Sequence, residues 1–472
     1  MNIGEAQIRA IVEEVVKGIG AGPPTGLTVR EAGDDGIFQE MEACIDAAEI
    51  AQRALMELTL EKRKEIIEAI RRVGVEYAED FAQRTWEETG MGRVRDKVVK
   101  HHIAATLTPG MEDLETHAWS GDHGLTTVEM APYGVIGAIT PSTHPVPTML
   151  NNAIGMIAAG NAVVFNHHPS AKKVAAYGLR RIHQGIVAAG GPPNLLTAVE
   201  NPTLETGKVL FTHPKIRLLM VTGGPGVVKV AMASGKKTIA AGPGNPPVVV
   251  DETADIPKAA RDIVAGAAFD NNILCIAEKE IFVVEAVADP FKQELLKNDC
   301  FELDRGQVDA LAEKVFQKTE SGHYAVSRKF VGCDAAVLAR EIGVTVDPSV
   351  RLLIGETNFD HLFVQEEQMM PFLPMTRVRD VEEGIALAIR AEHGYGHTAI
   401  MHSRNVEHMS NMAKRVNTAI FVKNGASSAG LGIGGEGFTS LSIAGPTGEG
   451  ITSARTFTRQ RRCALVDYFR IV

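Results

Sequence analysis

The chain predicts an α/β protein whose sheets are parallel and covered on both faces. Short apolar runs without alternation, such as Val135-Ile136-Gly137-Ala138-Ile139-Thr140 and Ala162-Val163-Val164-Phe165, suit strands buried on both sides. Each is followed by a stretch of helical length, the repeating unit of a parallel sheet. A glycine turn, Thr222-Gly223-Gly224-Pro225-Gly226, joins another such strand to a helix start.

At 472 residues the chain has the length for two or three domains with large cores. Its formal charge of −10 is spread along the sequence, which favours no nucleic-acid partner. No apolar run approaches the roughly 20 residues of a membrane span. Met1 to Glu5 shows no basic region ahead of a hydrophobic block, so no secretory signal is expected. Five cysteines, at 44, 275, 300, 333 and 463, form no CxxC pair, which fits a reducing cytoplasm. No metal site is expected.

Along the chain, Ile8, Ile11, Val12, Val15, Val16 and Ile19 recur at helical spacing, with Glu5, Arg9, Glu13, Glu14 and Lys17 on the other side. Residues 20–36 begin with a Gly/Pro-rich stretch that reads as a flexible linker. The apolar stripe of residues 1–19 must be covered, either by its own domain or by a partner helix. From about 37 to 115, apolar periodicity through Ile45, Ala48, Ala51 and Leu55, then Ile66, Ile70 and Val73, predicts long helices. Three strand–helix units follow: Val135–Thr140 into Pro145–Ala158, Ala162–Phe165 into Lys172–Ala189, and Ile216–Val221 into Val227–Ala233. Alternation continues from Val248 to about Phe421, and the tail from Thr439 is strand-like and rich in arginine.

Two places carry chemistry. Cys275 lies between the small-residue helical run Ile263–Ala268 and the strand-like Ile281-Phe282-Val283-Val284. A thiol at such a junction can be open to a ligand; a thiol packed as a small hydrophobe is the alternative. The glycine turn lets backbone amides approach a pyrophosphate at a helix N-terminus. It lacks GxGxxG spacing, so a plain tight connection is its alternative.

Read together with Gly242-Pro243-Gly244-Asn245-Pro246-Pro247, Glu366-Glu367-Gln368-Met369-Met370-Pro371 and Lys423-Asn424-Gly425, these segments occur in the order found in the aldehyde dehydrogenase superfamily. Glu88-Thr89-Gly90-Met91-Gly92, His397 to Ser403, Gly434 to Phe438 and Thr447 to Arg455 narrow the likeness. The chain resembles the CoA-acylating aldehyde dehydrogenases of bacterial microcompartments, the propionaldehyde and acetaldehyde enzymes, from about residue 37 to its end. The resemblance implies an aldehyde dehydrogenase fold: a Rossmann-like cofactor domain (37–114 and 132–244), an α/β catalytic domain (245–438) and a small β oligomerisation extension (115–131 and 439–472) that makes a homodimer or homotetramer.

The resemblance also implies that Cys275 attacks a short-chain aldehyde as a thiolate, with propionaldehyde favoured. Its backbone amide and a donor from Thr143 or His144 would hold the alkoxide. Hydride transfer to NAD would leave an acyl-enzyme thioester. Thr140, Pro141, Asn166, His167, Thr222, Gly223, Gly224, Gly226 and Glu367 fall at the cofactor positions; Asn166 and His167 stand near where many relatives use a lysine. Hydrolytic relatives carry a water-activating glutamate where this chain has Ala240. Coenzyme A is therefore the expected acyl acceptor, with His397 as a candidate base; a hydrolytic enzyme releasing a free acid is the rival. In this family context residues 1–19 read as a targeting helix that docks on a microcompartment shell protein.

Overall fold

The computed structural model describes residues 33–319 and 324–472, so the expected targeting helix (1–19) and most of the linker (20–36) lie outside the described residues. The helix-periodic region folds as four helices, Met41–Met56, Leu60–Glu76, Ala78–Thr89 and Val94–Thr106. Thr59 caps the second through its side chain, which accepts from Lys62 N–H. The third stops at Gly90, which turns left-handed at φ 68°.

The apolar runs form two parallel sheets. In the first, six strands lie in the order Ile37–Phe38, Leu196–Val199, Ala162–His167, Val135–Thr140, Ile216–Thr222, Thr238–Ala241. Every neighbouring pair is parallel. From Val135–Thr140 the chain steps outward through two strands, then returns to add Ile216–Thr222 on the opposite side. That reversal leaves a crevice beyond the carboxyl ends of these two strands, where open α/β sheets bind ligands. Helix Pro145–Ala158, which follows the first of them, is buried at every residue; most of its side chains are apolar, and the buried Asn151 bonds Thr108, Thr439 and Leu441. The helix after the glycine turn starts at Pro225, two residues earlier than its apolar pattern suggests. Proline's fixed φ and missing N–H suit the first helical turn.

The second sheet has seven parallel strands: Cys300–Glu302, Leu352–Glu356, Phe372–Val378, Glu280–Val284, Pro247–Val250, Thr398–His402 and Ile420–Lys423. Val248, Val250, Ile281, Val283 and Ile400 are fully buried in its core. A separate antiparallel sheet joins His117–Gly121, Gly124–Pro132 and Thr458–Val466. Its outer strand His117–Gly121 is exposed throughout. Residues 439–457 pack elsewhere: Leu441, Ala444, Ala454 and Phe457 enter the core of the first sheet. Among the described residues no helix is long and apolar enough to cross a membrane.

Candidate active site

Cys275 sits in a loop between the short turn Phe269–Asn272 and strand Glu280–Val284. The approach is contorted. Asp270, Asn271 and Asn272 take consecutive left-handed conformations, φ 48°, 54° and 64°. Short Asx side chains tolerate that region, yet three in succession persist only where the surroundings hold them.

They are held by side chains at each step. Asp270 N–H donates to Asp96 Oδ2 at 2.9 Å, and its carboxylate accepts from Arg93 N–H at 2.7 Å and Lys97 Nζ at 3.1 Å. Asn271 accepts from Arg93 Nε at 2.8 Å and donates to Gly332 O and Asp334 Oδ1, both at 2.9 Å. Asn272 donates to Ala267 O at 2.8 Å and Glu278 O at 2.9 Å. Gly92, at φ 70°, has no side chain where the Asp270 carboxylate passes; a Cβ there would collide with it. Lys100 also pairs with Asp270 and donates to Thr143 O at 3.2 Å. One ammonium thus ties the cysteine loop to the segment that leaves strand Val135–Thr140.

The thiol keeps part of its surface exposed while protein encloses most of it. Burial, with the Glu367 carboxylate second, pushes its pKa up to about 12. Lys279 and the backbone N–H groups of Cys275 and Ile276 pull it down. Glu367 accepts from Gly244 N–H, and burial raises its pKa against the opposing charge of Lys279. Gly244 is the spacer of the site. A Cβ there would lie 2.7 Å from Cys275 O and 2.9 Å from His397 Cγ, so only a bare backbone fits between cysteine and histidine.

His397 is buried. Its backbone N–H donates to Glu392 Oε1 at 2.8 Å, Nδ1 bonds Thr398 Oγ1 at 2.9 Å, and Nε2 has no partner. Burial, with Lys279 nearby, lowers it to about 4. The imidazole is neutral at pH 7, and its Nε2 is buried with no partner among the described residues. His144 caps the buried helix Pro145–Ala158 by position; its Nδ1 is unpartnered, and burial near Lys100 and Lys97 holds it well below the usual range. The Thr143 carbonyl is taken by Lys100, and its side chain is half-buried.

At the crevice, Thr140 Oγ1 bonds His167 Nδ1 at 2.8 Å, His167 stacks on Phe165, and its Nε2 is unpartnered. Pro141, next in the chain, is half-buried. Asn166 spends its amide inward, donating to Thr203 O at 3.3 Å and accepting from Thr206 Oγ1 at 2.6 Å. Thr222 Oγ1 bonds Ser442 Oγ at 2.7 Å. Gly223 and Gly226 are half-buried, whereas Gly224 is exposed with nothing within 4 Å of an added Cβ. Open amides at the start of helix Pro225–Ala233, beside a sheet reversal, fit the pyrophosphate of a dinucleotide. Ala240 is buried on strand Thr238–Ala241, a methyl group with no acid–base capacity.

Sequence reasoning gave no role to Asp270, Lys97, Lys100, Lys279 or Gly244. The run Asp270-Asn271-Asn272 was the available signal for a left-handed bend, and Glu278-Lys279-Glu280 for charges carried into a buried strand.

A cysteine and a buried imidazole flank Gly244, and the first sheet reverses as open dinucleotide-binding sheets do. The model of the aldehyde dehydrogenase family matches residues 29–437, and the chain belongs to that family. It is 48% identical to the acetaldehyde dehydrogenase (acetylating) EutE of Salmonella typhimurium over 100% of both chains. It is also similar to the solved propionaldehyde dehydrogenase of Rhodopseudomonas palustris with bound CoA and an acylated cysteine: TM-score 0.90, 48% identity, 93% of this chain and 100% of that one. A third relative is the propionaldehyde dehydrogenase of the Clostridium phytofermentans fucose utilisation bacterial microcompartment, with TM-score 0.90, 45% identity, and 93% and 100% covered.

Proposed function

We infer that this chain is a CoA-acylating aldehyde dehydrogenase, converting a short-chain aldehyde, CoA and NAD to acyl-CoA and NADH. The observation that carries this reading is the unpartnered Nε2 of a neutral His397, one glycine away from Cys275. Propionaldehyde is the favoured substrate, with acetaldehyde next.

Cys275 Sγ, as thiolate, adds to the aldehyde carbon. The backbone N–H groups facing the sulfur, with His144 or Thr143 opposite, hold the oxygen as it gains charge. The turn Gly223 to Gly226 would hold the pyrophosphate of NAD at the crevice, and the bound dinucleotide would supply the hydride acceptor for that carbon. Glu367 would hold the nicotinamide ribose, and Thr140, Pro141, Asn166, His167 and Thr222 stand at the remaining cofactor positions. The product on the enzyme is a Cys275 thioester. Ala240 cannot activate water against it. His397 Nε2 accepts the proton of the CoA thiol, and the CoA sulfur displaces Cys275 to give acyl-CoA.

The domain limits expected from sequence (37–114 with 132–244, 245–438, and 115–131 with 439–472) stand as part of this proposal; the two parallel sheets support the first two, whereas only Thr458–Val466 of the last segment pairs in the small sheet. The exposed strands His117–Gly121 and Thr458–Val466 are unpaired on their outer edges, and a small sheet of this kind gains stability by pairing. They support a homodimer or homotetramer. Residues 1–19 would dock on a shell protein and place the enzyme in a bacterial microcompartment.

Turnover of C2 to C5 aldehydes with and without CoA, with products identified by mass spectrometry, tests the reading. CoA-dependent acyl-CoA formation is expected; rapid free-acid release without CoA would overturn it.

A further inference from the structure

Lys279 stands directly behind the cysteine loop with its side chain entirely buried. Its Nζ donates to Asn272 O at 3.0 Å, to Leu274 O at 3.4 Å and to Asn272 Oδ1. All three acceptors are neutral and lie on the approach to Cys275. Its main chain is stitched to the rest of the site: its N–H donates to Pro246 O at 3.0 Å, two residues beyond Gly244, and its carbonyl accepts from Gln368 Nε2 at 2.9 Å, next to Glu367.

A neutral donor could brace the same three oxygens. An ammonium out of water costs several kcal/mol unless an anion compensates it. Four carboxyl or imidazole groups face Lys279, namely Glu278, Glu280, Glu367 and His397. Glu278 accepts from Ser427 N–H and Oγ, each at 2.7 Å, and burial nevertheless raises its pKa to about 7, well above the usual carboxylate range. Both oxygens of Glu280 are buried without a partner among the described residues, the situation of a protonated acid. His397 is neutral. Glu367 faces the thiol as well as the lysine, and its charge opposes ionisation of the sulfur.

We propose that Lys279 is a positioning residue whose ammonium, held behind the loop, offsets Glu367 and stabilises the Cys275 thiolate. The inference rests on Cys275 being the nucleophile. The lysine never touches substrate; it acts through the sulfur. Neutral Glu280 leaves that charge available to the thiolate.

The test is alkylation of Cys275 by iodoacetamide in the cofactor-free enzyme, followed at that peptide by mass spectrometry from pH 6 to 10. The rate follows the thiolate fraction. An opposite charge within reach lowers a pKa by about 1–3 units, so Lys279→Gln, which retains a donor for the loop carbonyls, should alkylate at least tenfold more slowly at pH 8. Lys279→Arg should stay within about threefold of the parent. A folded Lys279→Gln protein alkylating at the parental rate would overturn the proposal and leave Lys279 a strut. If losing the lysine alone prevents folding, Lys279→Gln/Glu367→Gln is compared with Glu367→Gln: removing both charges leaves neither buried unpaired, and the same tenfold fall is expected. Alkylation is read without turnover. Failure of the nucleophile assignment would appear separately, as acylating activity surviving in Cys275→Ala.

Discussion

The loop that carries Cys275 and the turn Thr222–Pro225 are both irregular junctions beside a parallel sheet, and they are built in opposite ways. Asp270, Asn271 and Asn272 are strained, and each is fixed by several side-chain bonds. The glycine turn has no strained residue, and its Gly224 faces open space. A nucleophile gains from being held in one position before the aldehyde arrives. A phosphate site needs accessible amides. Rigidity is concentrated on the approach to Cys275, the proposed nucleophile.

That contrast is tested most severely at the sulfur. Cys275→Ala should abolish aldehyde oxidation and acyl transfer, by at least about ten-thousandfold in kcat, while NAD still binds. Activity assays paired with NADH or NAD titration by calorimetry check both halves. Loss of NAD binding as well would mean that loop and turn are not independent.

The next effect is on stability. Asp270→Asn leaves Lys97 and Lys100 buried without their shared carboxylate. Breaking a buried pair from one side costs about 3–5 kcal/mol, so chemical unfolding should shift strongly, with lower activity in the protein that remains folded. A change below about 1 kcal/mol would show that the left-handed turn holds without its ions.

His397→Ala should separate the two half-reactions. The NADH burst from aldehyde and NAD should survive, while steady-state acyl-CoA formation falls about a hundredfold. Because burial keeps His397 neutral down to about 4, the CoA-dependent step should stay flat from pH 8 to 5 in its histidine-dependent part. A fall centred near 6.5 would place an ordinary solvated histidine in the role. Stopped-flow absorbance at several pH values reads both.

Much of the sheet architecture was legible because strands such as Val163-Val164-Phe165 and Val248-Val249-Val250 are continuous apolar runs, which mark burial on both faces without knowledge of neighbours. Motif order singled out Cys275, His397 and Glu367, and Gly244 stands against the first two and bonds the third. The supports were not. Lys97 meets Asp270 across 173 positions, and a lysine on a helix reads locally as solvated. Glu278-Lys279-Glu280 looks like a polar flank in one dimension; the fold takes all three out of water. Asn166 reads as a free polar group after a strand, and the Thr203–Thr206 turn claims it. Long-range pairing decides each case, and sequence periodicity carries no record of it.

The smallest effects give the sharpest form of the comparison, because they use one substitution in two places. Gly244→Ala puts a methyl group against Cys275 O and the His397 ring, closer than real Cβ contacts allow. One or both must move, and kcat should fall at saturating NAD and CoA, by about tenfold for a displacement costing about 1.4 kcal/mol of transition-state stabilisation. Gly224→Ala meets nothing, and at φ −66° alanine is unstrained. Its stability should change by less than about 1 kcal/mol, and kcat should hold. The added methyl stands on the face where the pyrophosphate approaches, so any loss should appear in the KM for NAD alone. Should Gly224→Ala lower kcat at saturating NAD, the turn would be part of the rigid machinery after all, and the division between a fixed nucleophile and an open cofactor site would fail.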